Sequence, residues 1–126
     1  MAMILVVEND GSARQALCDL LRDYEHWPVG VTNGREALTA LEKGLRPDVI
    51  VLNISTPVMD GPAFRAEQLK RPDIAKIPVV VISASEPSSP NYFVGGEDFE
   101  LLTNPIPSAV LMSLIRQFGS RVSSAG

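Results

Sequence analysis

Five polar residues stand at the ends of apolar runs: Glu8 and Asn9 after the first, Asn53 after the third, Ser83 after the fourth and Asn104 after the fifth. Carboxylates gathered in such places would hold a hard divalent cation, and one of them could attack phosphorus as a nucleophile. Here Glu8 alone is charged at neutral pH; the rest are three amides and a hydroxyl. A carboxamide is neutral, with its nitrogen lone pair delocalised into the carbonyl, so Asn53 cannot accept a phosphoryl group. Asn9, Asn53 and Asn104 offer polarity at these ends without charge.

The elements that must position these residues alternate along the chain. Met3 to Val7 (MILVV) is continuously apolar, as a strand buried on both faces is. Ser12 is an N-cap candidate with Gln15 three residues on, followed by a helical stripe of Ala13, Ala16, Leu17, Leu20 and Leu21. Val29 to Val31 reads as a second strand, and Asn33 caps a second helix with Glu36 at its third position, Ala37, Leu38 and Leu41 facing inward and Gly44 ending it. Asp48 to Leu52 is a third strand. The stretch Leu52 to Gly61 (LNISTPVMDG) follows, with a helix starting near Asp60 and anchored by Phe64 and Leu69. Pro78 to Ile82 and the Leu101-Leu102 pair mark two more strands, and Val110, Leu111, Leu114, Ile115 and Phe118 trace a last helix. The expected class is α/β: a doubly wound, five-stranded parallel sheet in three layers. In such a sheet, ligands sit beyond the carboxyl ends of the strands, where the five polar residues converge. The crossover between the last two strands, Ser85 to Gly96, carries two prolines, three serines and two glycines, so its helix is expected to be short or irregular.

The order ILVVEND, RPDVIVLNISTPVMDG, IPVVVISAS and LLTNPI resembles the receiver (phosphoacceptor) domain of two-component response regulators, from Met3 to about Phe118. The resemblance implies a flavodoxin-like, CheY-like fold. It places the family's two metal-binding acids on Glu8 and Asn9, its phosphoacceptor aspartate on Asn53, its hydroxyl residue on Ser83 and its lysine on Asn104. The backbone carbonyl near Ser55 would complete the metal site, and Asn104-Pro105 is expected to be cis. The position that is commonly a switching aromatic falls on Leu101, with Phe99 close by. Were the first loop shifted by one residue, Asp10 would supply the second acid. These replacements point to a degenerate, pseudo-receiver variant with weak or absent magnesium binding, no cofactor and no enzyme activity.

Composition agrees with a signalling domain and excludes other classes. A chain of 126 residues with 45% hydrophobic content suits one domain, expected over residues 1–119 with a tail over 120–126. A net charge of −4 with no basic cluster gives no footprint for nucleic acid, and no apolar run is long enough to span a membrane. The single cysteine, Cys18, excludes an intramolecular disulfide and fits a cytoplasmic location, where it reads as a small core residue. His26 has no nucleophile near it in sequence and reads as a boundary residue. The expected function is phosphorylation-independent protein-protein interaction, through the fourth-helix, fifth-strand and fifth-helix face bearing Tyr92, Phe93, Phe99 and Leu101, which is also the expected homodimer face. Two alternatives stand beside it: a small-ligand sensor using the pocket at Asn9, Asn53, Ser83 and Asn104, and a conventional phosphorylatable regulator.

Overall fold

The structure is a computed structural model that describes residues 2–53, 61–83, 99–103 and 107–125. Its elements run β1 (Met3–Val7), α1 (Gly11–Asp23), β2 (Trp27–Val31), α2 (Gly34–Glu42), β3 (Val49–Asn53), α3 (Gly61–Leu69), β4 (Val79–Ser83), β5 (Phe99–Thr103) and α4 (Ser108–Ala125). All strand pairings are parallel and the sheet order is β2-β1-β3-β4-β5. This is the doubly wound α/β fold that the alternating pattern predicts.

The unbroken apolar runs have a direct physical reading. Side chains alternate across a strand, so a strand covered on both faces needs apolar residues at every position. Ile4, Val6, Val49, Val51 and Val80 point to one face, where they meet Cys18 and Leu21 of α1 and Leu111, Met112, Ile115 and Phe118 of α4. Leu5, Val7, Ile50, Leu52, Val79 and Val81 point to the other, against Ala37, Leu38 and Leu41 of α2, Phe64 of α3 and Ile74.

Strand β2 begins at Trp27, two residues before the expected start, and forms an edge of the sheet. The Trp27 N–H donates to the Ala2 carbonyl and the Glu8 N–H to the Val31 carbonyl, so the odd-numbered positions face β1. Pro28 therefore places its missing N–H at the open edge, while the Thr32 N–H is taken by Glu36 Oε1 at 2.8 Å. Of the edge-facing positions 28, 30 and 32, only Gly30 offers a donor, and the edge is blunted against a further strand.

Several sequence expectations are corrected. Asp10, and not Ser12, caps α1: its Oδ1 accepts the Ala13 N–H at 3.0 Å. Ala13 and Ala16 are exposed, and the inward stripe of α1 is Leu17, Cys18, Leu20 and Leu21. In α3, Leu69 is 39% exposed, and the helix anchors itself instead through Phe64 and the buried polar pair Arg65 and Gln68. Val110 is exposed, while Leu111, Ile115 and Phe118 bury as expected. Helix α4 continues to Ala125, through most of the segment expected as a tail. The crossover expected to carry a short or irregular helix, with Tyr92 and Phe93, and the Asn104-Pro105 bond lie outside the described residues.

Candidate functional site

The strand register brings the predicted residues to one edge. Val7 stands opposite Leu52, so Glu8, the next residue, reaches the end of β3 where Asn53 lies. Asn53 stands opposite Ile82, one residue short of Ser83, and Ser83 pairs with Thr103, directly before Asn104. The edge between β1 and β3 is the point where strand order reverses, with β2 on one side and β4 and β5 on the other.

Glu8 and Asn53 meet there. Asn53 Nδ2 donates to Glu8 Oε1 at 2.8 Å, and both residues are half-buried. An ionised carboxylate has only acceptors, so the amide must turn its NH2 toward it. The other oxygen, Oε2, accepts the Asp10 N–H at 3.2 Å. The Glu8 backbone is also fixed, since its carbonyl accepts from Arg14 Nη1 at 2.9 Å and its N–H donates to the Val31 carbonyl at 3.0 Å. Arg14 reaches across β2 because position 30 is glycine: a Cβ there would lie 3.1 Å from Arg14 Cδ and 3.2 Å from Cγ.

Asn9 is exposed and stands beside the pair rather than within it. Asp10 is exposed and committed to capping α1, so it does not supply a second acid to the Glu8 side. Ser83 and Leu101 are placed by their strands, as is Phe99, which pairs with Val79. Ser55, Tyr92, Phe93 and Asn104 lie outside the described residues. Sequence reasoning missed Arg14, whose signal was a cation on the helix after Glu8 paired with a strand glycine. It also missed Gln68, whose Nε2 donates to the Ile74 and Ile77 carbonyls at 2.9 and 3.0 Å and whose Oε1 accepts from Arg65 Nη1 at 2.8 Å.

Elsewhere, burial pushes the Cys18 thiol up in pKa, against the opposing charges of Arg22 and Arg14, which keeps it protonated and unreactive. His26 Nδ1 accepts the Ala2 N–H at 3.1 Å, and burial lowers the imidazole pKa. Among the described residues, no three His, Cys, Asp or Glu side chains converge as a metal site, and no helix is long and apolar enough to cross a membrane.

A doubly wound sheet with its polar cluster at the β1/β3 switch point defines the class: a flavodoxin-like α/β domain with its site at the strand ends. The chain belongs to the response regulator receiver domain family, whose model matches residues 4–116. It is similar to the receiver domain of a signal transduction histidine kinase from Syntrophus aciditrophicus, with 31% identity and a TM-score of 0.83, over 97% of this chain and 92% of that one. The chemotaxis response regulator CheY4 of Vibrio cholerae superposes with a TM-score of 0.77 at 26% identity, covering 94% and 98% of the two chains. Protein PilH of Pseudomonas aeruginosa is 25% identical over 118 residues, 91% of this chain and 95% of PilH. The protein-glutamate methylesterase/protein-glutamine glutaminase of Caldanaerobacter subterraneus is 40% identical over 83 residues, 64% of this chain. The chain spans 22% of the length of that enzyme.

Proposed function

We propose that this receiver domain signals as a pseudo-receiver, through protein contacts that do not depend on its own phosphorylation. The observation that carries the reading is the 2.8 Å bond from Asn53 Nδ2 to Glu8 Oε1. The position that would carry the nucleophile holds an amide, and that amide spends its N–H on the carboxylate that would otherwise face a cation. The described residues of this edge do not fit a magnesium ion. A hard cation wants oxygen donors, and here one carboxylate meets amide hydrogens, with Asn9 turned to solvent. Asn104 in place of the family's lysine supports the same reading, since a phosphoryl group would find no cation there to share its charge. Asn53, bonded to Glu8, is then a polar plug that ties the strand-end loops, with no catalysis and no cofactor.

The partner surface belongs to the face of β5, the crossover before it and α4, with Tyr92, Phe93, Phe99 and Leu101 as its apolar residues and a homodimer as one of its assemblies. The location is cytoplasmic. The test adds magnesium with beryllofluoride, or acetyl phosphate, while backbone amide shifts are recorded. Unchanged shifts around Asn53 are expected. Saturable, localised shifts at Glu8, Asn53 and Ser83 would overturn the pseudo-receiver reading. For the surface, Tyr92→Ala with Phe93→Ala is expected to abolish partner binding or self-association, and full retention of both would refute its placement.

A further inference from the structure

The end of the sheet opposite Glu8 and Asn53 holds a second feature that this function does not use. The single tryptophan of the chain, Trp27, is 62% exposed, and Tyr24, three residues before it, is 47% exposed. Tyrosine and tryptophan, with an apolar ring and a polar tip, are enriched at interfaces. Trp27, Pro28, His26, Glu25 and Arg22 line a cleft of about 500 Å³ at the N-terminal edge of β2.

The backbone under this cleft is strained in a telling way. Helix α1 ends in a Schellman turn: the Glu25 N–H donates to the Arg22 carbonyl and the His26 N–H to the Leu21 carbonyl, both at 2.9 Å. That turn puts Glu25 at φ 66, in the left-handed region. Helix α2 closes with the same pattern, Gly44 N–H to the Leu41 carbonyl and Leu45 N–H to the Ala40 carbonyl, and there the left-handed residue is glycine, at φ 107. One protein thus solves one turn twice, and at the cleft it accepts a side chain where glycine would be relaxed. The inference runs from the outlier toward a use for the side chain.

Charge decides what the cleft would take. Arg22 is already paired with Asp19 at 3.2 Å, and among the described residues Glu25 is in no ion pair. An exposed indole and an uncommitted carboxylate thus line one cleft, and that pair of groups is the chemistry that binds a guanidinium, by cation–π attraction and an ion pair. His26 Nδ1 is occupied by the Ala2 N–H, so the neutral ring carries its proton on Nε2 and presents a donor to a peptide carbonyl. We propose that the Trp27–Glu25 cleft is a docking site for an arginine-bearing peptide segment of a partner protein, with the guanidinium seated on the indole and bonded to the Glu25 carboxylate.

Because Trp27 is the one tryptophan, intrinsic emission reads the site directly. The peptide acetyl-Gly-Arg-Gly-Arg-Gly-amide, titrated into the full chain at low salt, is expected to change the emission saturably, with half-saturation on the order of 1 mM. Glu25→Gln should weaken binding about threefold. Glu25→Gly should do the same while lowering the unfolding equilibrium constant about fivefold, a pairing that a purely structural glutamate would not give. Trp27→Ala, followed by backbone amide shifts, should abolish binding. Three results would each overturn the proposal: no saturation, equal binding of the Glu- or Leu-substituted peptide, or unchanged affinity in Trp27→Ala. Concentration-dependent self-association lost in Trp27→Ala would assign the cleft to a second copy of the chain and overturn the peptide as occupant.

Discussion

Replacing Asn53 by aspartate tests the strand-end pair more sharply than removing it. The substitution changes one NH2 to one oxygen, in a position where the donor lies 2.8 Å from Glu8 Oε1. Two consequences follow at neutral pH. A hydrogen bond to a charged acceptor disappears, worth about 1.5–3 kcal/mol. Two carboxylates then face each other, and at an effective dielectric constant near 20 the unrelaxed repulsion would be about 6 kcal/mol. Movement apart and water screening remove much of that; a residual repulsion that strengthens proton binding about a hundredfold costs roughly 2.7 kcal/mol once both groups are ionised. With both residues half-buried and free to move apart, Asn53→Asp is expected to lower stability by about 2–4 kcal/mol at pH 7.5.

The sign of the pH dependence separates this account from simple misfitting. In the variant, one carboxyl of the pair is protonated more readily in the folded chain than in the unfolded one. Stability therefore falls as pH rises from the ordinary carboxylate range through the raised folded value, and near pH 4.5 the protonated acid can itself donate to its neighbour. Urea denaturation between pH 4.5 and 8 should show the variant close to the parent at the acid end and weakest at the alkaline end. Ten-millimolar magnesium should recover part of the loss in the variant and leave the parent unchanged, because only the variant offers paired carboxylates. A variant as stable as the parent at pH 7.5 without divalent ions would show that the Asn53–Glu8 bond does not tie this edge, and would refute the reasoning.

Other perturbations probe the remaining contacts. Gln68→Leu leaves the Ile74 and Ile77 carbonyls and the Arg65 guanidinium without their buried partner, and should cost about 3–5 kcal/mol by urea denaturation. Gly30→Ala pushes the Arg14 side chain aside by a few tenths of an ångström and should shift the Glu8 and Asn53 amide resonances through the Arg14–Glu8 bond; unchanged resonances would disconnect Arg14 from the site. Acid should destabilise the parent in two steps of the same sign. Burial lowers the His26 pKa, so the stability of its neutral form is full above the ordinary imidazole range, about 6.5, and is lost as pH falls through the folded value. The Thr32 N–H lowers the Glu36 pKa, so a second loss follows below the ordinary glutamate range; His26→Gln should remove the first step alone.

The strands and the site edge were legible because each rests on a one-dimensional signal. A run such as MILVV or VIVL is apolar at every position only if both faces are covered, and parallel order then sends Glu8 and Asn53 to the same edge. The first helix start was misread because Asp10 and Ser12 are both competent caps and only the direction of the chain leaving Glu8 selects between them. Helix α3 looked weakly patterned because its inward face uses Gln68, buried by bonding two loop carbonyls, and sequence periodicity counts an amide as surface. The exposure of Trp27 had no local signal at all. It follows from β2 lying at the sheet edge, a property of strand order and not of any nearby residue.

Strain and its absence divide the two ends of the domain. At the carboxyl edge, Glu8 is held by Asn53 and by the Asp10 N–H at its carboxylate, and by Arg14 and Val31 at its backbone, an arrangement in which each described group has a partner of the right sign. At the opposite edge, the sole non-glycine residue with positive φ among those described is Glu25, beside an indole open to water. Conformational energy that selection would remove at no loss, by one change to glycine, is retained there. The cleft beside Trp27 is a feature that the strand-end edge does not use, and binding is the property that such a feature can serve.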